Sequence, residues 1–103
     1  MSQYFYPLDG RKHYKGLEKA QKDMVQAFKN FNNEIFEKES ALSRKMKELI
    51  AIGVAHTTQC PYCIEGHVRA AKKAGASDQE IARPFSSRLL SGQGALLLIR
   101  RSR

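Results

Sequence analysis

From Tyr14 to about Phe36, apolar residues fall at Leu17, Ala20, Met24, Ala27 or Phe28, Phe31 and Ile35. That three-and-four spacing is the stripe of an amphipathic helix. The segment "EKESALS" interrupts the pattern, with Ser40 or Ser43 as candidate N-caps. A second helix is predicted from about Arg44, with Met46, Leu49, Ile50, Gly53 and Val54 on one face. It should end in "HTTQ", where β-branched and polar residues weaken helix propensity. Cys60 can cap a third helix whose first position is Pro61, where a missing N–H costs nothing. That helix should stop at Gly75, with Lys72 and Lys73 beside its negative end. "SDQEIA" opens a fourth, with Ser77 as cap and Glu80 three residues on. No stretch alternates with a period of two, so the expected fold is all-α, a small helical bundle. The opening "SQYFYPLDG" ends in a turn signal, and its aromatic residues Tyr4, Phe5 and Tyr6 predict an ordered arm laid over other parts of the chain.

Composition narrows the class. A chain of 103 residues with 42% hydrophobic and 27% charged residues fits one soluble globular domain, 1–103. It has no run of 18 apolar residues and no export-signal pattern at its start, so the expected compartment is the cytoplasm. The net charge of +8 suggests a nucleic-acid partner until its distribution is considered. Up to Ala82, 13 Lys and Arg stand against 10 Asp and Glu, and the other five positive charges are Arg83, Arg88, Arg100, Arg101 and Arg103. A surplus concentrated in the last 21 residues argues against a phosphate-binding face built into the fold.

The chemistry is concentrated in "HTTQCPYCIEGH", residues 56–67, which holds both cysteines and two of the three histidines. In a reducing compartment a C-x-x-C pair points to redox work or metal binding rather than to a structural staple. A glutaredoxin-type site needs a preceding strand and a later proline in strand context. Here "SRKMKELIAIGVA" reads as helix, and Pro84 has no strand around it. Zinc could take His56, Cys60, Cys63 and His67, but four ligands crowded across one helix junction do not follow the usual two-pair spacing. The third reading is a reactive dithiol. Cys63 and His67, four apart, share a helix face, and Cys60 can reach Cys63 to form a disulfide. A thiolate near a helix N-terminus is stabilised by unpaired N–H groups and the dipole. An imidazole one turn on can act as base, and a carboxylate behind it would orient the ring. Glu48, one residue outside the second helix's apolar stripe, is the candidate. The plainer readings make His56 a helix-end residue with a solvent or carbonyl partner, Tyr62 a packing residue, His13 a surface residue, and the thiols inert.

Glu48, Cys60, Cys63 and His67, set in "KELIAIGVAHTTQCPYCIEGHVRAAKKAGAS", resemble the E-x11-C-x2-C-x3-H signature of the alkylhydroperoxidase D-like branch of the carboxymuconolactone decarboxylase family. The likeness spans roughly residues 42–82. It implies an all-helical, trimeric or hexameric protein that reduces hydroperoxides through a dithiol, with no metal or organic cofactor. Position by position, Cys63 resembles the peroxide-attacking thiol, Cys60 the resolving one, and Glu48 with His67 the proton relay. The decarboxylases of the family generally lack the cysteine pair. The resemblance also suggests an external dithiol of lipoyl type as reductant. It departs at Tyr62, where some members carry a histidine. Two rival readings come from other classes: a non-enzymatic binding module using the basic tail, and a zinc-binding helical module.

The tail, residues 83–103, departs from the family. In place of a long alanine-rich helix it reads "RPFSSRLLSGQGALLLIRRSR". Pro84 should disturb a helix interior, and Gly92 with Gly94 weaken it again, so the C-terminal helix is expected to be atypical or replaced. A one-base change of frame near Arg83 accounts for the composition: from Pro84 the shifted frame permits A-I-F-V-A-A-A-L-R-A-G-G-A-F-A-H-S-A-K-S. The coding DNA decides this, because an alanine-rich frame must open there after a single insertion or deletion.

Overall fold

The computed structural model describes the backbone of residue 7 and residues 9–101, and the side chains of these through residue 89. The aromatic opening with Tyr4, Phe5 and Tyr6 lies outside the described residues. The fold is all-α: a 3₁₀ turn over Gly10–His13 precedes α1 (Tyr14–Ala20), α2 (Lys22–Phe36), α3 (Arg44–Thr58), α4 (Pro61–Lys73) and α5 (Asp78–Arg101). Among the described residues there is no strand. The chain forms two compact units, Met1–Lys38 and Glu39–Arg103.

In the first unit the sequence predicts one helix and the structure has two, because Gln21 leaves helical torsions at φ −138°, ψ 58°. Glu18 and Lys29, eleven residues apart, form an ion pair at 2.6 Å. In a straight helix they would be separated by about 16 Å along the axis. The bend at Gln21 is what lets them meet. The apolar stripe of α2 is real, but Met24, Phe28, Phe31 and Ile35 are all exposed, and Val25 is the buried residue of this unit among those described.

The second unit follows its local signals closely. Ser43 caps α3, its side chain accepting from the Met46 N–H at 3.1 Å. At the other end Gln59 adopts the left-handed conformation (φ 56°, ψ 47°), so that α3 turns into α4 within two residues. Cys60 caps α4 and Pro61 is its first residue. Gly75, at φ +91°, supplies the left-handed residue after α4 that an L side chain resists. Ser77 and Glu80 form a reciprocal capping box at the start of α5: the Ser77 N–H donates to Glu80 at 3.0 Å, and the Glu80 N–H donates to Ser77 Oγ at 3.1 Å. Lys45 of α3 pairs with the same carboxylate at 2.9 Å and ties the starts of α3 and α5 together. These contacts, the Ser77 N–H foremost and then Lys45, hold the Glu80 carboxyl below its usual range.

Two features go beyond what the sequence pattern indicated. The face of α3 that packs against α4 and α5 carries Glu48, Ile52 and Ala55, with Ala71 of α4 also buried, whereas Met46, Ile50 and Val54 are about half exposed. The apolar stripe is therefore not the core face of this helix. Pro84, expected to disturb a helix interior, lies inside α5, which runs on past it. A proline at the seventh helical position removes only its own N–H bond toward the Glu80 carbonyl, and the helix resumes beyond it. It also sits where α5 comes close to α3: a Cβ placed on Gly53 would lie 3.6 Å from the Pro84 Cβ and carbonyl oxygen.

Candidate active site

The site assembles from three short stretches of the second unit. The left-handed turn at Gln59 places Cys60 at the mouth of α4, and its backbone N–H is spent on the Ala55 carbonyl at 3.1 Å. Its Sγ accepts from the Cys63 N–H at 3.3 Å, a cap in which sulfur takes the place of the usual side-chain oxygen. Cys60 and Cys63 form a disulfide, with Cα atoms 5.2 Å apart. Of the two, Cys63 is exposed and Cys60 partly covered.

One turn further along α4, His67 Nδ1 donates to Glu48 Oε2 at 2.7 Å. The Glu48 side chain is 4% exposed and the His67 side chain 28%. A carboxylate that deep is rare without a partner, because losing water costs a charged group several kcal/mol or more unless it is paired and hydrogen-bonded. Here the imidazole is that partner. The bond fixes the ring orientation and puts the proton on Nδ1, leaving Nε2 as the nitrogen able to take up or give a proton. The structure thus brings Glu48 to His67, and His67 and Cys63 onto one face of α4, while Cys60 sits at that helix's first turn.

The other residues singled out from the sequence fall as follows. His56 lies in the last turn of α3 and donates to the Ile52 carbonyl at 2.8 Å, the carbonyl partner expected of it, but its ring also lies 5.0 Å from that of Phe85 in α5. Sequence reasoning missed this second contact, since nothing in the spacing links residue 56 to residue 85. Tyr62 is half-buried on the first turn of α4, and His13 is exposed in the 3₁₀ turn. Among the described residues no three of His, Cys, Asp and Glu are grouped so as to hold a metal ion, and both cysteines are engaged with each other. No helix among them is long and apolar enough to cross a membrane.

What the arrangement can do follows from its parts. An exposed sulfur in a helix's first turn, a second sulfur in disulfide contact with it and a carboxylate-oriented imidazole one turn on make a dithiol that can be oxidised and reduced with a proton donor at hand.

The chain is 54% identical over 43 residues to a protein of Paracoccus denitrificans described as "Uncharacterized protein 4 in cox locus"; the match takes in 42% of this chain and 39% of that protein. The chain therefore spans about two fifths of the length of that relative. The model of the carboxymuconolactone decarboxylase family matches residues 22–95, which includes α2 to α4 and most of α5. The chain, all-α and carrying a C-x-x-C disulfide and a hydrogen-bonded Glu–His pair whose carboxylate is buried, belongs to the carboxymuconolactone decarboxylase family.

Proposed function

We propose that the protein is a thiol-dependent peroxidase that reduces hydroperoxides through Cys60 and Cys63, with the same dithiol able to reduce small disulfides. The observation that carries this reading is the buried Glu48 carboxylate bonded to His67 one turn from Cys63, whose sulfur is already joined to Cys60. A purely structural disulfide has no need of such a pair beside it.

In the oxidative half, the Cys63 thiolate attacks an oxygen of ROOH. The S–O bond forms, the O–O bond breaks, and the departing alkoxide takes a proton from His67 to leave as ROH. Glu48 supports the positive charge that His67 carries in between. The Cys60 thiol then gives its proton to His67 and attacks the sulfur of the Cys63 sulfenic acid; the S–S bond forms, and the departing hydroxide takes that proton from His67 and leaves as water. The N–H of Cys63 and the helix dipole stabilise Cys60 as a thiolate. In the reductive half, an external dithiol, lipoyl-type in the family's manner, exchanges through a mixed disulfide and departs as its own disulfide. Two electrons pass from dithiol to peroxide, and no metal or organic cofactor takes part.

Self-association belongs to the same proposal. Met46, Ile50 and Val54 are spaced by four on the outer side of α3 and are 45%, 50% and 57% exposed. Contiguous apolar surface of this kind usually marks an interface, and a homo-oligomer would cover it. The direct test of function is peroxide-dependent oxidation of dihydrolipoamide. Wild type should turn over, and Cys63→Ser should fall to the uncatalysed rate. Equal rates in the two proteins would remove Cys63 from the chemistry.

A further inference from the structure

The end of α3 is tied down more heavily than a helix end requires. A helix leaves its last carbonyls without partners, and a left-handed cap normally supplies them. Here the Ala55 carbonyl accepts from the N–H groups of both Gln59 and Cys60. Three consecutive side chains then bond carbonyls of the same turn and the one before: His56 Nδ1 to Ile52 at 2.8 Å, Thr57 Oγ1 to Gly53 at 3.2 Å, and Thr58 Oγ1 to Ala55 at 3.3 Å. A carbonyl only accepts, so the proton of the His56 bond is on Nδ1.

Of these three, His56 also reaches a different helix. Its ring is centred 5.0 Å from the Phe85 ring with the planes 57° apart, and the Arg88 guanidinium stands 5.6 Å from the centre of the same Phe85 ring. Arg88 Nε is buried without a hydrogen-bond partner among the described residues, so the aromatic ring is the contact that accounts for its position. The imidazole is thus held at Nδ1 by the backbone of α3 and against α5 by the tilted Phe85 ring.

What lies next to this anchor is Gln59, the non-glycine residue held at positive φ. Left-handed torsions cost an L-residue about 1–2 kcal/mol, so neighbours must hold the turn in place. Cys60 follows immediately and takes its position from that turn. We propose that His56 is a positioning residue for the dithiol: by clamping the end of α3 to Phe85 it fixes the turn at Gln59, and with it the place of the Cys60 sulfur relative to Cys63. The inference rests on the reading of the pair as redox-active. A loosened turn spreads Cys60 over more positions and lowers its effective concentration at Cys63, which weakens the disulfide relative to the dithiol.

The test is the equilibrium between the full-length protein and dithiothreitol redox buffers, with far-UV circular dichroism recorded on the same samples. His56→Ala should lower the constant for forming the Cys60–Cys63 disulfide about tenfold, a potential about 30 mV less negative. Phe85→Ala should shift it in the same direction. Thr57→Ala, which removes a bond at the same helix end but no contact with α5, should stay within twofold of wild type. If His56→Ala loses helix content, His56→Thr is measured in its place, since it can keep the backbone bond while losing the ring. A shift of less than twofold in the histidine variant, or an equal shift in Thr57→Ala, overturns the proposal. Because no peroxide is involved, a wild-type pair that fails to exchange with dithiothreitol sinks the redox reading itself. An exchanging wild type with an unmoved histidine variant sinks only the role of His56.

Discussion

The two sides of α3 differ in a way that runs against simple expectation. The inner side carries Glu48, Ile52 and Ala55, all buried, and so includes a carboxylate; the outer side carries Met46, Ile50 and Val54, all substantially exposed. A helix that exposes its apolar stripe and buries an acid is not optimised for its own core. On the inner side His67 meets Glu48 at 2.7 Å, and that pairing is what makes a buried carboxylate tolerable there. The outer side is the apolar surface that the proposed self-association would cover. Ile50 and Ile52, two residues apart, sit on opposite sides of this division, one half exposed and one at 0% exposure.

The sharpest way to break the comparison is to truncate both isoleucines. Ile52→Ala should cost about 2–5 kcal/mol, because it leaves a cavity at the most buried large side chain. In dilute, dissociated protein Ile50→Ala should cost no more than about 0.5 kcal/mol. Chemical denaturation of the two variants measures both. Equal costs would mean that the outer side is as much a core as the inner one. The next step puts a charge on the outer side: Ile50→Lys should shift the sedimentation coefficient toward the monomer value while leaving helix content unchanged. Unaltered sedimentation would show that assembly, if present, uses another surface.

Smaller effects sharpen the boundary between the two sides. Gly53 lies on that boundary, and an added Cβ would meet Pro84 at 3.6 Å, an ordinary contact. Gly53→Ala should therefore stabilise the chain by about 0.5–1 kcal/mol through helix propensity, read as a higher denaturation midpoint. A loss would show that α3 and α5 approach too closely there for any side chain. Where the starts of α3 and α5 meet, the Ser77 N–H and then Lys45 depress the Glu80 carboxyl. A depressed acid contributes stability that is complete above its unfolded-state value, about 4.3, and is lost as pH falls through the lower folded value. Glu80→Gln should flatten that acid limb of the stability profile and leave its shape near neutral pH unchanged.

What could be read in the sequence and what could not divides along physical lines. Caps and turns are local, so Ser43, Cys60 with Pro61, Gly75, and Ser77 with Glu80 were legible from a few adjacent residues, and the all-α architecture from the helical spacing between them with no period-two stretch. Which side of α3 faces inward was not legible, because an apolar stripe marks surface to be covered without saying whether the cover is this chain or another. Glu48 illustrates the limit: helical periodicity places it outside the stripe, and only its offset from Cys60 suggested a role, yet it proves more buried than any residue of that stripe. The bend at Gln21 has no glycine or proline to announce it, and its visible consequence is the pairing of Glu18 with Lys29. Pro84 gave notice of a disturbed helix interior but not that α5 would continue past it, since one missing hydrogen bond does not end a helix that has other contacts to hold it. The pairing of His56 with Phe85 depends on how α5 lies across α3, which no local pattern encodes.

The central claim is that a buried acid tunes the imidazole that serves the dithiol. Single-turnover oxidation of the reduced protein by a hydroperoxide, followed through formation of the Cys60–Cys63 disulfide, tests it in wild type and in Glu48→Gln, which preserves shape and removes the charge. The account predicts a rate at least about 100-fold lower in the variant, the usual scale for losing a positioned proton-transfer partner. A variant that oxidises as fast as wild type, with its helices intact, would contradict it.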